Sequence, residues 1–175
     1  METLFGLPAH PLLVHLPVVI IPLAALATLM TLIRRSWLDR YGWWLLGLSG
    51  VGMLGAVLAA SSGEELESKV EESALLERHA ELGDTARLMG IIFFVVVAVV
   101  VLGRYFLRRN ESNLGRWLRG SVGALVCALV ITLSGAGATY AVVQAGHQGA
   151  KVTWNDVKDE APAGDQGGVT TTTDD

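Results

Sequence analysis

Pro11 to Ile33 reads PLLVHLPVVIIPLAALATLMTLI, with Arg34 and Arg35 directly after it. At about 1.5 Å per residue this run makes roughly 34 Å of helix, enough to cross a hydrocarbon layer about 30 Å thick. It lacks the basic start of a secretory signal, being preceded by Glu2 and His10, and it exceeds a signal's apolar length. It therefore reads as a retained membrane span.

Three further runs repeat the pattern. Trp43 to Ser61 is edged by Tyr41, Trp43 and Trp44, rings that belong at a headgroup boundary. Leu88 to Gly103 is free of charge; the third span containing it begins near Asp84, and Arg104 is expected to snorkel outward from its end. The fourth extends from about Trp117 to Val143. With 51% hydrophobic residues, 17% charged and a mean hydropathy of +0.47 over 175 residues, the chain has lipid as its solvent. The fold predicted is all-α, a four-helix membrane bundle over residues 1–155, followed by an acidic tail over 156–175 whose Asp, Gly and Thr content predicts disorder.

Charge sets the expected orientation. Eight of the thirteen Lys and Arg residues lie in two short connections: Arg34, Arg35 and Arg40, then Arg104, Arg108, Arg109, Arg116 and Arg119. The positive-inside rule puts these in the cytoplasm and both termini outside. Between spans two and three, residues 63–84 carry eight acids against Lys69 and Arg78. Ser62 with Glu65 as a capping box, Leu66, Val70 and Ala74 at four-residue spacing, and Gly83 as a stop predict an amphipathic outer helix here, with Asp84 capping the next span. The net charge of −4 and the lack of a basic stripe argue against nucleic acid. The single cysteine, Cys127, excludes an intrachain disulfide and covalent c-type haem attachment. No hydrolase or transferase motif is present.

The residues that carry chemistry are His10, His15, His79 and His147, which this topology gathers into one outer layer. His15 lies about one turn inside the apolar run, where an ionisable group is costly and marks a functional candidate. Neutral imidazole is a common ligand for metals and haem iron. A b-type haem needs two such ligands, close helix approach, for which glycines 47, 50, 52 and 55 and residues 134–138 provide room, and cations such as Arg78 and Arg87 for its propionates. His10 and His15 are five residues apart, roughly 140° around a helix, and do not point at one centre. Pro11 as first helical residue would leave His10 free to fold toward His79 or His147, and Pro17 and Pro22 would kink the span beside His15. One centre with two ligands, or two centres sharing four histidines, both fit. Copper or zinc at the same histidines is the alternative to haem b, and an accessory subunit of a larger membrane complex is a third reading.

The opening Leu7-Pro8-Ala9-His10-Pro11-Leu12-Leu13-Val14-His15-Leu16-Pro17 resembles the start of a bacterial family of four-span membrane proteins known as domain of unknown function 2231. The likeness covers about residues 7–152, including a histidine before span three and the close Gly146-His147-Gln148-Gly149. It departs at Leu16, where the family usually has an aromatic residue, and at Gln148, which interrupts the usual His-Gly close. The resemblance implies a four-span protein of the bacterial plasma membrane. Its histidine pattern is similar to that of membrane b-type cytochromes, which implies electron transfer with quinone or a membrane respiratory complex.

Overall fold

Lipid offers no partner to a backbone N–H or C=O, so long apolar runs fold as helices that satisfy these groups internally. A computed structural model of the chain describes residues 3–4, 7–34, 36–68, 73–107 and 113–159. After a two-residue antiparallel pairing of β1 (Thr3–Leu4) with β2 (Leu7–Pro8), the other described residues are almost all helical. The helices are α1 (Ala9–Leu13), α2 (His15–Ile33), α3 (Ser36–Glu67), α4 (Ala74–Leu107), α5 (Asn113–Arg119) and α6 (Ser121–Asp159). Four stretches, His10–Ile33, Ser36–Glu67, Ala74–Leu107 and Ser121–Trp154, are long and apolar enough to cross a membrane. The all-α four-helix architecture read from the sequence is the one observed.

The long helices close into a ring: α2 packs on α3, α3 on α4, α4 on α6, and α6 back on α2. The starts of α2 and α4 and the ends of α3 and α6 thus share one end, which is acidic; the opposite end is basic. Ile21, Phe93, Val97, Ile131 and Ala138 fill the centre. Large apolar side chains such as Leu23, Leu26, Val99 and Leu133 point away from the bundle. A water-soluble protein rarely tolerates so much outward apolar surface, whereas lipid accepts it.

Small residues set how closely the helices approach. A Cβ on Gly52 would lie 2.8 Å from the Ile21 side chain, and one on Gly135 would lie 3.0 Å from both Ala25 and Phe93. The glycines that the sequence suggested as room for a ring are therefore largely helix contacts, while Gly47 faces open space. The buried hydroxyls of Thr28, Thr31, Ser49 and Ser62 each donate to the carbonyl three residues earlier, which satisfies them without a partner helix.

Several local expectations are corrected. Helical structure is present on both sides of the acidic connection, but as the end of α3 and the start of α4 running straight out of the spans. Ser62 is inside α3, with its hydroxyl on the Ala59 carbonyl instead of capping a new helix. Gly83 and Asp84 lie inside α4, and Asp84 pairs with Arg87 one turn on. Val70 falls outside the described residues. α1 begins at Ala9, so His10 is within the helix and Pro11 is not its first residue. The helix break falls at Val14, just before the Pro17 whose missing N–H cannot serve the Leu13 carbonyl, whereas α2 runs on through Pro22. α6 continues to Asp159, past the expected start of the tail at 156; the remainder of the tail lies outside the described residues. Cys127 is buried, as an unpaired thiol in an apolar run should be.

Arg104 is also corrected: it turns inward. Only 7% exposed, it donates Nε to Asp39 Oδ1 and Nη2 to Asp39 Oδ2, each at 3.0 Å, and Nη1 to the Leu118 carbonyl. One guanidinium thereby joins the first turn of α3, the last turn of α4 and the end of α5. This arrangement satisfies three N–H directions of the guanidinium and both oxygens of the Asp39 carboxylate.

Two outcomes follow from this packing. Gly52→Leu should lower stability by about 1–3 kcal/mol through overpacking against Ile21, while Gly47→Leu should stay within about 0.5 kcal/mol. Thermal melting in one detergent would compare them. Asp39→Ala should also lower the melting point. The loss should be less than the roughly 3–5 kcal/mol typical of a fully buried broken pair, because Asp39 keeps enough exposure for water to screen Arg104 in part.

Candidate functional site

The helices of 32, 34 and 39 residues are roughly 48–58 Å long at about 1.5 Å per residue, well beyond an apolar layer of about 30 Å. Their polar ends consequently project past the charge-free stretches and form a cap at the acidic end. There His10 of α1 and His79 of α4 face each other edge to face, ring centres 6.1 Å apart with planes 81° from parallel.

Each ring is fixed in the same way. His10 Nδ1 is 2.9 Å from the Ala59 carbonyl and 3.2 Å from Ser62 Oγ; Ser62 donates its own hydrogen to that same carbonyl. His79 Nδ1 is 3.1 Å from the Ala145 carbonyl of α6. A carbonyl only accepts, so both Nδ1 atoms carry the proton and Nε2 is left with the lone pair in the neutral ring. Each ring also rests on a glycine. A Cβ on Gly63 would come within 3.0 Å of the His10 ring, and one on Gly149 within 2.8 Å of the His79 ring. His79 lies in the turns of α4 that precede its apolar stretch. Burial lowers its pKa below the ordinary 6.5, and the neighbouring His10 lowers it further, against the Ala145 hydrogen bond and the charge of Glu67, which raise it. The neutral form that offers a lone pair is thereby favoured.

The other two histidines do not join this pair. His15 is exposed and donates Nδ1–H to the Pro11 carbonyl of the preceding turn at 2.6 Å. His147 is exposed as well. Its position follows from helix geometry: Ala145, Gln148 and Gly149 share the face turned to His79, and a residue two along from Ala145 projects about 200° around the axis. Arg78 pairs with Glu81 at 2.9 Å, and Arg87 bridges Glu64 at 2.8 Å and Asp84 at 2.9 Å, so both cations already have carboxylate partners. Among the described residues no group of three or more His, Cys, Asp or Glu is placed to hold a metal ion. The parts that the sequence reading missed are Gly63, Gly149, Ser62 and the two carbonyls. Their only signal was glycine within the polar extensions of α3 and α6.

The arrangement is that of a polytopic membrane protein with a paired-imidazole cap. Over residues 6–159 the chain matches, and belongs to, the family described as Predicted membrane protein (DUF2231). No curated protein and no solved structure matches it.

Deleting the half-buried His79 imidazole should expose a difference between the histidines. His79→Ala should lose about 1–2 kcal/mol, from the hydrogen bond to Ala145 and the emptied contact with Gly149, while His147→Ala should change stability by less than about 0.5 kcal/mol. Melting curves of the two variants beside the parent protein would measure it.

Proposed function

We propose that this protein is a membrane b-type cytochrome in which His10 and His79 would hold one haem b at the acidic end of the bundle. The observation that carries the reading is the facing pair of rings, each with Nδ1–H tied to a carbonyl and, among the described residues, no hydrogen bond at Nε2. Ligating histidines commonly have their second nitrogen fixed in this manner, which sets the tautomer and the ring orientation. With ring centres 6.1 Å apart, the two imidazoles are near enough that one iron could be held by both. A pair is also the donor set of an axially ligated haem, whereas structural zinc prefers four protein ligands.

When bound, the haem supplies one-electron chemistry. The chain's part would be to hold the two imidazoles, to favour the neutral form of His79, and to fix the rings against α3 and α6. Arg78 and Arg87 would serve propionates only by exchanging Glu81, or Glu64 and Asp84, for them. The positive-inside rule supports placing this end, with both termini, outside a bacterial plasma membrane. An electron would then pass between quinone or a membrane complex and an acceptor at that face.

The protein purified from cells supplied with iron and haem precursor should show a Soret band and a reduced α band. His10→Ala and His79→Ala should each abolish the low-spin spectrum, and His79→Met should retain some haem at a changed potential, since thioether replaces imidazole as a ligand. His15→Ala and His147→Ala should be spectrally silent. Wild-type protein without haem would defeat the proposal, and copper or zinc found by metal analysis at the same two histidines would redirect it.

A further inference from the structure

The basic end carries a cluster that neither the histidine pair nor the helix packing uses. Arg34 and Arg40 are exposed, and among the described residues neither has a carboxylate partner. Arg116 is exposed and bonds the uncharged side chain of Asn113. Asp39 is the one acid among the described residues of this end, and both of its oxygens are engaged by Arg104. That same guanidinium, reaching both Asp39 and the Leu118 carbonyl, brings the turn holding Arg40 and the helix holding Arg116 to one place.

Aromatic rings gather at the same end. Trp43 stacks edge to face on Tyr105 at 5.4 Å, Tyr105 on Phe106 at 5.3 Å, and Trp37 on Tyr41 at 5.9 Å, with the Arg40 guanidinium 5.8 Å from the Tyr41 ring centre. Trp44 and Phe106 are 79% and 70% exposed, and Ile33, beside Arg34, is 79% exposed. Rings of this kind sit at headgroup level, with apolar surface continuing below them into the chains. Guanidinium groups offer planar, forked donors that match phosphate oxygens. Soluble anions would find the charge but have no use for the apolar surface beside it.

We propose that the basic end binds an anionic phospholipid, with Arg34, Arg40 and Arg116 taking the headgroup phosphate and Trp43, Trp44 and Tyr105 bordering its glycerol and upper chains. Clustered cations next to a span attract anionic lipid by about fivefold in affinity per residue near the surface. The site is independent of the haem reading, lying at the opposite end of the bundle.

The full chain in neutral detergent would be offered phosphatidylglycerol or phosphatidylcholine of identical acyl chains, and retained lipid counted by native mass spectrometry. Phosphatidylglycerol should be preferred by at least about tenfold, and the preference should collapse in Arg34→Gln/Arg40→Gln/Arg116→Gln while largely surviving in the matching Lys variant. If the Gln variant does not fold, the wild type decides: raising salt from about 50 to about 500 mM should weaken the preference at least about tenfold. Equal retention of the two lipids, a Gln variant with unchanged preference, or a salt-insensitive preference would overturn the proposal. So would complete displacement of phosphatidylglycerol by millimolar inorganic phosphate, which would assign the arginines to a soluble anion.

Discussion

Close approach through small residues is the constraint on which this structure depends. In water, two apolar helices are driven together by the surface they hide; in lipid that drive is absent, and association rests on dispersion contacts and a few polar bonds. Contacts of this type fall away steeply with distance, so the helices must come near. Gly52 admits Ile21, and Gly135 admits Ala25 and Phe93. Gly63 and Gly149 repeat the device at the acidic end, where imidazoles take the place of aliphatic side chains. The site is in this sense an extension of the packing that builds the bundle.

Polar chemistry is confined to the two ends for a related reason. Within the apolar stretches, the hydroxyls of Thr28, Thr31 and Ser49 return to their own helix carbonyls, while those of Thr132 and Thr139 are buried without a partner among the described residues. Past those stretches the two ends solve different problems. At the basic end a single buried arginine ties three helices with a carboxylate and a carbonyl, and its neighbours stay exposed. At the acidic end the ion pairs of Arg78 and Arg87 are exposed and contribute little, while the half-buried His10 and His79 are held by backbone carbonyls. An imidazole is less costly to bury than a permanent charge, and held by a carbonyl at one nitrogen it keeps the other for a ligand.

Much of the fold was legible because lipid simplifies the reading. Uninterrupted apolar runs of sufficient length have one structural solution, so the four spans, their order and the shared end of the histidines followed from residue type alone. Local signals were less dependable. Ser62, Glu65, Gly83 and Asp84 form a convincing pattern for a separate helix, yet α3 and α4 run through all of them. Caps and stops are worth only a kcal/mol or so, and continuing a helix that is already nucleated in the bilayer outweighs them. Arg104 misled in the same manner: snorkelling is the default for a cation near a span end, but Asp39 stood within reach across the helix pair.

The sequence by itself determined an all-α chain of four membrane spans with acidic and basic ends, because hydropathy and charge act over whole segments and need no knowledge of neighbours. It also predicted that His10 and His15 do not point at one centre, and the break at Val14 puts them on separate helices, α1 and α2. Tertiary structure alone decided which histidines meet. His10 meets His79 because α1 lies on α3 and α4 lies on α6, which brings the Ala59 and Ala145 carbonyls to the two rings. His147, two residues from Ala145, is turned away by the rotation of α6. That rotation is set by which small residues face inward along the whole helix, from Ala128 to Gly149, a sum of contacts to other helices that no local pattern encodes.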